Sequence, residues 1–294
     1  MDGIWGQLFN FSDYGQLFAL LHNSVIAGGV LGLVGGMVAV FVMQRDLAFA
    51  VHGTSELSFA GGAAGLLFGI GVVPGALAGS LVAAALIGIF GARASRRNSV
   101  IGVMMPFGLG LGVLFLSLYP GRSGNKFGLL TGQIVAVDDP RLTVLAVICA
   151  IVAIGMLVVW RPLLFASLDP EVAAARGVPT RFLSFVFMML LGLTVAVSVQ
   201  IVGSLLVLSI LVTPAAAAMR LTHSPNRAVL WSMLFATVSM VGGILLAMGA
   251  TVPISPYVTT ISFTFYLMAT GIGALRARRA AWQQSVVQAT PGLG

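Results

Sequence analysis

The stretch LTVLAVICAIVAIGMLVVW, from Leu142 to Trp160, runs for 19 residues without a charged side chain and is bounded by Arg141 and Arg161. An α-helix needs about 20 apolar residues to cross the hydrocarbon core of a bilayer. In lipid there is no water to bond the backbone, so such a segment is helical and satisfies its own N–H and C=O groups. The rest of the chain repeats this pattern. Spans are expected at Phe18–Met43, Leu57–Ile70, Val73–Phe90, Ser99–Leu118, Leu142–Trp160, Phe182–Val199, Ile201–Met219, Ala228–Ala250 and Tyr257–Leu275. The short second span is expected to be tilted or partly re-entrant. Tight connections are expected at Val72-Val73-Pro74-Gly75 and near Gln200. The fold class is therefore all-α, a polytopic membrane bundle of about nine transmembrane helices.

Composition agrees. The chain is 59% hydrophobic and only 8% charged, with a mean hydropathy of +1.06. Soluble domains carry about 25% charged residues, so this supply of charge cannot build a water-facing surface. The apolar runs are too continuous for the alternating strands of an outer-membrane barrel. Cys149 is the single cysteine, which excludes an intrachain disulfide and a thiolate cluster. No basic segment precedes the first apolar run, which is expected to remain as an anchor. Residues 1–275 read as one transmembrane domain, and 276–294 as a basic tail expected to be disordered.

The pI near 10.8 does not point to nucleic acid, because the basic residues flank the apolar runs. If Gly91–Asn98 is cytoplasmic, so are Arg45, Arg93, Arg96, Arg97, Arg161, Arg176, Arg181, Arg220, Arg227, Arg276, Arg278 and Arg279. Only Arg122, Lys126 and Arg141 of the 15 basic residues fall outside. The positive-inside rule then places the N-terminus outside and the C-terminus in the cytoplasm.

Glycines recur at spacings of four: Gly28, Gly32 and Gly36; Gly61, Gly65 and Gly69; Gly71, Gly75 and Gly79. Each set lays a smooth stripe along a helix, where a neighbouring backbone can approach.

Ionisable residues are few, and most fall in loops. His52 and Glu56 differ, standing four residues apart just before the second span. That spacing puts both side chains on one helix face, and an imidazole with a carboxylate suits zinc or manganese. Ionisable groups at membrane depth usually mark an ion path. The plainer alternative is a hydrogen-bonded pair, alone or with Arg45 and Asp46, at a solvated face. His22 and His223 read as solvated, at the outer and cytoplasmic faces. Farther on, Asp169 to Pro179 reads as a short self-capped helix. Asp169 is the N-cap, Pro170 the first helical residue and Glu171 in the first turn. Gly177 is the left-handed stop. In a cytoplasmic loop this is either a simple connector or a rigid knob for a motor protein.

Other chemistry is excluded by what is missing. The single lysine, Lys126, lies between Asn125 and Phe127, so there is no Gly-Lys-Ser/Thr phosphate loop. Neither a His-Glu-x-x-His site nor a Gly-x-Ser-x-Gly elbow occurs. ATP hydrolysis by this route, or a hydrolase activity, is not expected.

From about Phe18 to Leu275 the chain resembles the permease subunits of zinc- and manganese-type metal ABC importers. The resemblance is carried by Phe127–Val137, by Asp169-Pro170-Glu171 with Ala174 and Gly177-Val178, and by Val202–Val207 with Leu211–Ala218. It implies the permease fold of vitamin B12- and metal-type importers and a homodimer with its path on the two-fold axis. Its partners would be an ABC ATPase subunit on the cytoplasmic side and an extracellular metal-binding lipoprotein. No permanently bound cofactor is implied, and the divalent ion is cargo. Asp169, Pro170, Glu171, Ala174 and Gly177 would couple to the ATPase. The family commonly has Asp-x-x-x-His after the first span. Here the place reads His52-Gly53-Thr54-Ser55-Glu56, the donors exchanged and the pitch kept. A protonated His52 could not ligate, which adds pH sensitivity. Rival readings are an ABC permease for a metal chelate or cobalamin-like ligand, and a self-sufficient secondary transporter, which would show inverted repeats.

Overall fold

The computed structural model describes residues 14–91, 94–120, 137–248 and 253–289. Within them all regular structure is helical: α1 Tyr14–Gln44, α2 Ala48–Leu67, α3 Val72–Phe90, α4 Ala94–Leu118, α5 Asp139–Leu168, α6 Pro170–Ala175 and α7 Thr180–Val202. A 3₁₀ turn, Ser204–Leu206, follows, then α8 Val207–Leu211, α9 Thr213–Leu221, α10 Pro225–Ala247 and α11 Ser255–Ala289. Arg93, Arg122, Lys126 and the stretch 127–136 lie outside the described residues. The last helix continues to Ala289, past the expected domain limit at Leu275 and into the stretch read as disordered.

Among the described residues seven helices are long and apolar enough to cross a membrane: α1, α3, α4, α5, α7, α10 and α11. Their surroundings differ. Two-thirds of the most apolar window is buried in α1 and α7, against 28% in α3, α4 and α5 and 17% in α11. The centre is thus α1 with α7, and the others turn broad faces to lipid. Phe41 of α1 marks that centre, its ring 5.2 Å from Trp160 of α5 and 6.1 Å from Phe187 of α7.

The remaining two expected passes take unexpected forms. The second is a complete helix, α2, that begins at Ala48 instead of Leu57. His52 and Glu56 are therefore inside it, not ahead of it. At 1.5 Å per residue its 20 residues cover about 30 Å, so it is neither short nor re-entrant. The seventh expected span, Ile201–Met219, is broken. Gly203 leaves α7 with φ of 84°, and Val212 (φ −130°, ψ −54°) separates α8 from α9. Pro214 supplies the reason, since it has no N–H for the carbonyl four residues back and its ring clashes there.

The broken segment still runs from one end of the bundle to the other. Ser255 Oγ donates to Val202 O, and Ser262 Oγ to Ser209 O, both at 2.9 Å. At the far end Arg276 Nη1 donates to Leu221 O at 3.0 Å. The segment therefore lies parallel to α11 in register, and two α11 hydroxyls serve carbonyls of the interrupted path. Irregular backbone at membrane depth is tolerated only with such protein cover.

Glycines set two close helix pairs. On α1, a Cβ at Gly32 or Gly36 would lie 2.6 Å from the Cα of Thr237 or Met233 on α10, and one at Gly28 would strike Ile244. Ser232 Oγ donates to Gly36 O at 2.7 Å across the same seam. On α2, Gly61 and Gly65 meet the carbonyls of Gly75 and Gly71, and Gly79 of α3 meets that of Leu57. Gly69 does not belong to this stripe. A Cβ there would meet nothing within 4 Å, and its φ of 72° places it in the turn Phe68–Gly71. That turn is the tight connection; Val73, Pro74 and Gly75 already lie in the first turn of α3. Likewise Gln200 is within α7, and the bend comes at Gly203.

These contacts sort the ends. Because Gly36 packs on Met233 and Gly28 on Ile244, α1 and α10 are antiparallel, and the α1–α2 turn shares an end with the start of α10. Arg97 Nη2 donates to Asp46 O at 3.1 Å, and Arg45 Nη1 to Ser167 Oγ at 3.3 Å. One end thus gathers Arg45, Arg97, Arg161, Arg176, Arg181, Arg220, Arg227 and Arg276. At the other, Asn23 Nδ2 donates to Asp139 Oδ1 at 2.7 Å, and Arg141 pairs with Asp138 at 3.2 Å.

Candidate functional site

Helix α2 holds the candidate donors because it is wrapped by protein. It packs along α3, α4 and α7 and against the broken segment. Twelve of its residues are buried, among them Thr54, Ser55, Glu56 and Ser58. A helix this polar would be costly facing lipid; enclosed, its polar side chains aim into the bundle.

His52 and Glu56 share a face as their spacing predicts. His52 Nε2 lies 3.8 Å from Glu56 Oε1, beyond hydrogen-bond reach. The Glu56 side chain is 3% exposed and that of His52 27%, so the pair opens on the histidine side. Glu56 Oε2 and His52 Nδ1 are buried without a hydrogen-bond partner among the described residues. Arg45 and Asp46 do not complete the pair. Arg45 turns to Ser167 and Ser184, and lies 5.7 Å from the Phe187 ring centre. The Asp46 carbonyl takes Arg97. Burial, and then the neighbouring Arg97, hold the Arg45 guanidinium below its usual pKa.

The spacing of the pair can be compared with ligation. Zinc–nitrogen and zinc–oxygen bonds are about 2.0–2.2 Å. An ion equidistant from donors 3.8 Å apart would subtend an angle of about 130° at those lengths. Closing the donors by a few tenths of an ångström reaches the tetrahedral value. Among the described residues no cluster of three or more His, Cys, Asp or Glu stands close enough to hold a metal. Two donors are too few for a closed structural site, which takes four.

The floor of the site was not evident from the sequence. A Cβ on Gly108 of α4 would lie 3.0 Å from the carbonyl carbon of Glu56, and one on Gly112 would strike the Phe59 ring. Gly53 brings α2 close to Ile101 of α4. The available signal was the four-residue spacing of Gly108 and Gly112 in the fourth span.

The short helix α6 has the predicted caps. Asp169 accepts from Val172 N at 3.0 Å, and Pro170 opens the helix. Gly177 has φ of 82°; Gly177 N donates to Ala174 O and Val178 N to Ala173 O, each at 3.0 Å. Ala173 is fully buried, while Pro170, Glu171 and Ala174 are exposed. One side chain therefore seats the helix on the bundle, and the rest face outward at the arginine-rich end. His22 and His223 are both exposed, at opposite ends of the molecule.

Three comparisons bear on this arrangement. The model of the ABC 3 transport family matches residues 17–272. The zinc uptake membrane protein ZnuB of Haemophilus influenzae is 26% identical over 79% of this chain and 89% of its own length. The manganese import permease ScaB of Streptococcus pneumoniae is 31% identical over 76% and 78%. Among solved structures, PsaBC from Streptococcus pneumoniae in complex with Fab superposes with a TM-score of 0.78 at 27% identity, over 88% of this chain and 94% of that one. A metal-chelate type ABC transporter in an inward-facing conformation, at 18% identity and a TM-score of 0.69, shares the fold.

Proposed function

The chain belongs to the ABC 3 transport family, and from that premise we propose that it is the membrane permease subunit of an importer for divalent metal ions, zinc or manganese. The observation that supports this best is the His52–Glu56 pair, a carboxylate and an imidazole 3.8 Å apart on one buried helix face. Among the described residues no arginine or lysine pairs with Glu56, and His52 beside it can balance its charge only when protonated. A divalent ion would balance it, and water or carbonyl oxygens would complete the coordination. Few protein ligands permit release, which a carrier needs and a structural site avoids.

In this reading the arginine-rich end faces the cytoplasm, with the N-terminus outside. A separate ATPase subunit docks at α6, an extracellular lipoprotein delivers the ion, and a second copy of the chain completes the path. Closing of the ATPase pair moves α6. Ala173 passes that motion into the bundle, and the site exposes in turn its outer and inner sides. The chain itself catalyses no reaction. A chelate or cobalamin-like ligand would have no use for a donor pair of this kind.

The test is uptake of zinc and of manganese in cells lacking their own importers, expressing this chain with its ATPase and binding protein. Glu56→Gln and His52→Ala are each expected to lower uptake by about 100-fold, at the upper end of losses around metal sites, with unchanged membrane abundance. Undiminished uptake in both variants would remove the pair from the path. Gradient-driven uptake by the chain alone in liposomes would overturn the ATP-driven assignment.

A further inference from the structure

At the arginine-rich end, the end of α3 and the starts of α4 and α7 enclose a pocket of about 630 Å³, within the ~300–1,000 Å³ of small-molecule sites. Arg45, Arg97 and Arg181 line it, and no carboxylate does. The three cations are held differently. Arg45 is fixed by Ser167 and Ser184. Arg97 is anchored through Nη2 to the Asp46 carbonyl, while its Nε is buried with no partner among the described residues. Arg181 is exposed at the rim. Positive charge brought together without an anion is unfavourable; the pKa of Arg45 is lowered first by burial and then by the neighbouring Arg97.

The opposite wall is apolar. Ile87 is buried and Ile89 is 62% exposed, with Phe90 beside it at 58%. Both lie on a helix apolar enough to cross the membrane, so their exposed sides are open to a lipid chain. The pocket thus joins a cationic cradle at the end of the bundle to an apolar face that continues along α3. A soluble anion would use the first feature alone; an anionic lipid uses both. Basic pockets between transmembrane helices are suited to lipid phosphates, and guanidinium groups bind phosphate oxygens in forked pairs.

We propose that this pocket binds the phosphate of an anionic phospholipid, whose acyl chains run along the outer face of α3 at Ile89 and Phe90. The bound lipid would lie against Pro170, which also lines the pocket, and so beside the first turn of α6. This assignment does not depend on the ion that the protein carries.

The experiment is native mass spectrometry of the full chain in detergent, titrated with dioleoyl phosphatidylglycerol or dioleoyl phosphatidylcholine. Inorganic phosphate at millimolar concentration serves as competitor. Phosphatidylglycerol is expected to bind at least tenfold more tightly than phosphatidylcholine, with phosphate unable to displace it. Arg97→Gln and Arg181→Gln should each weaken phosphatidylglycerol about fivefold, the effect of one basic residue near a lipid surface, and leave phosphatidylcholine unchanged. Arg227→Gln, at the same end but away from the pocket, should change neither. Equal binding of the two lipids, equal effects of all three substitutions, or displacement by phosphate would each overturn the proposal. So would unaltered lipid binding in the pocket variants together with loss of the ATPase subunit from their complexes, which would make the cradle a protein contact.

Discussion

Helix α2 and the segment 203–221 both lie inside the bundle, and neither is a continuous apolar span, for opposite reasons. The first is continuous but polar: its 20 residues include His52, Thr54, Ser55, Glu56 and Ser58. The second is apolar but interrupted at Gly203 and Val212. In α2 the backbone satisfies itself and the side chains ask for partners. In 203–221 the side chains are mostly apolar and the backbone asks, with Ser262 of α11 serving Ser209 O inside the segment and Ser255 serving Val202 O just ahead of it. Protein enclosure serves both, for different chemical groups, and a transporter has use for each kind of unmet need at membrane depth.

The comparison breaks most severely if α2 loses its enclosure. In Gly75→Val the new side chain would enter the backbone of Gly61 and Gly65. The expected cost is about 3 kcal/mol, the upper part of the overpacking range. It is read as a lower melting temperature in detergent and loss of the folded chain. Unchanged stability would mean that α2 and α3 separate readily. The complementary test on the broken segment is Ser262→Ala, which removes the hydroxyl from the Ser209 carbonyl. About 1–2 kcal/mol is expected, since a buried acceptor is left without a donor. Thermal unfolding measures it, and no change would show that α11 does not sustain the irregular path.

Two glycine substitutions sharpen the picture with smaller effects. Gly69→Ala meets no atom within 4 Å but must keep φ at 72°. It should cost about 1–2 kcal/mol by forcing a left-handed backbone on alanine. Gly102→Ala on α4 meets open space within its helix and should stay within about ±0.5 kcal/mol, as neutral surface changes do. A larger loss at Gly102 in the assembled importer than in the isolated chain would place that face of α4 in an interface.

Much of this was legible in the sequence, and the reason is locality. Lipid as solvent follows from hydropathy, the helices from the demand that each segment bond its own backbone, and the sorting of arginines from loop composition. The caps of α6 were equally readable, because Asp169, Pro170 and Gly177 act within one or two turns of themselves. The four-residue pitch placed His52 and Glu56 on one face as soon as a helix was assumed.

Other properties depend on residues far apart in the chain. Hydropathy began the second span at Leu57 because a polar stretch preceded it, yet α2 starts at Ala48 because α3, α4 and α7 cover that stretch. Pro214 inside the run from Ile201 to Met219 is a local signal for a break, but nothing local showed that carbonyls would turn to hydroxyls 53 residues away. Three glycines at equal spacing looked alike, and only the neighbouring helix assigned packing to Gly61 and Gly65 and a turn to Gly69. The sequence by itself determined the solvent, the helices and the charged end, since each is set by what a residue prefers next to its chain neighbours. The tertiary structure decided which polar groups are enclosed, where a helix can break and how near two backbones come, because those depend on partners that the chain brings together only by folding.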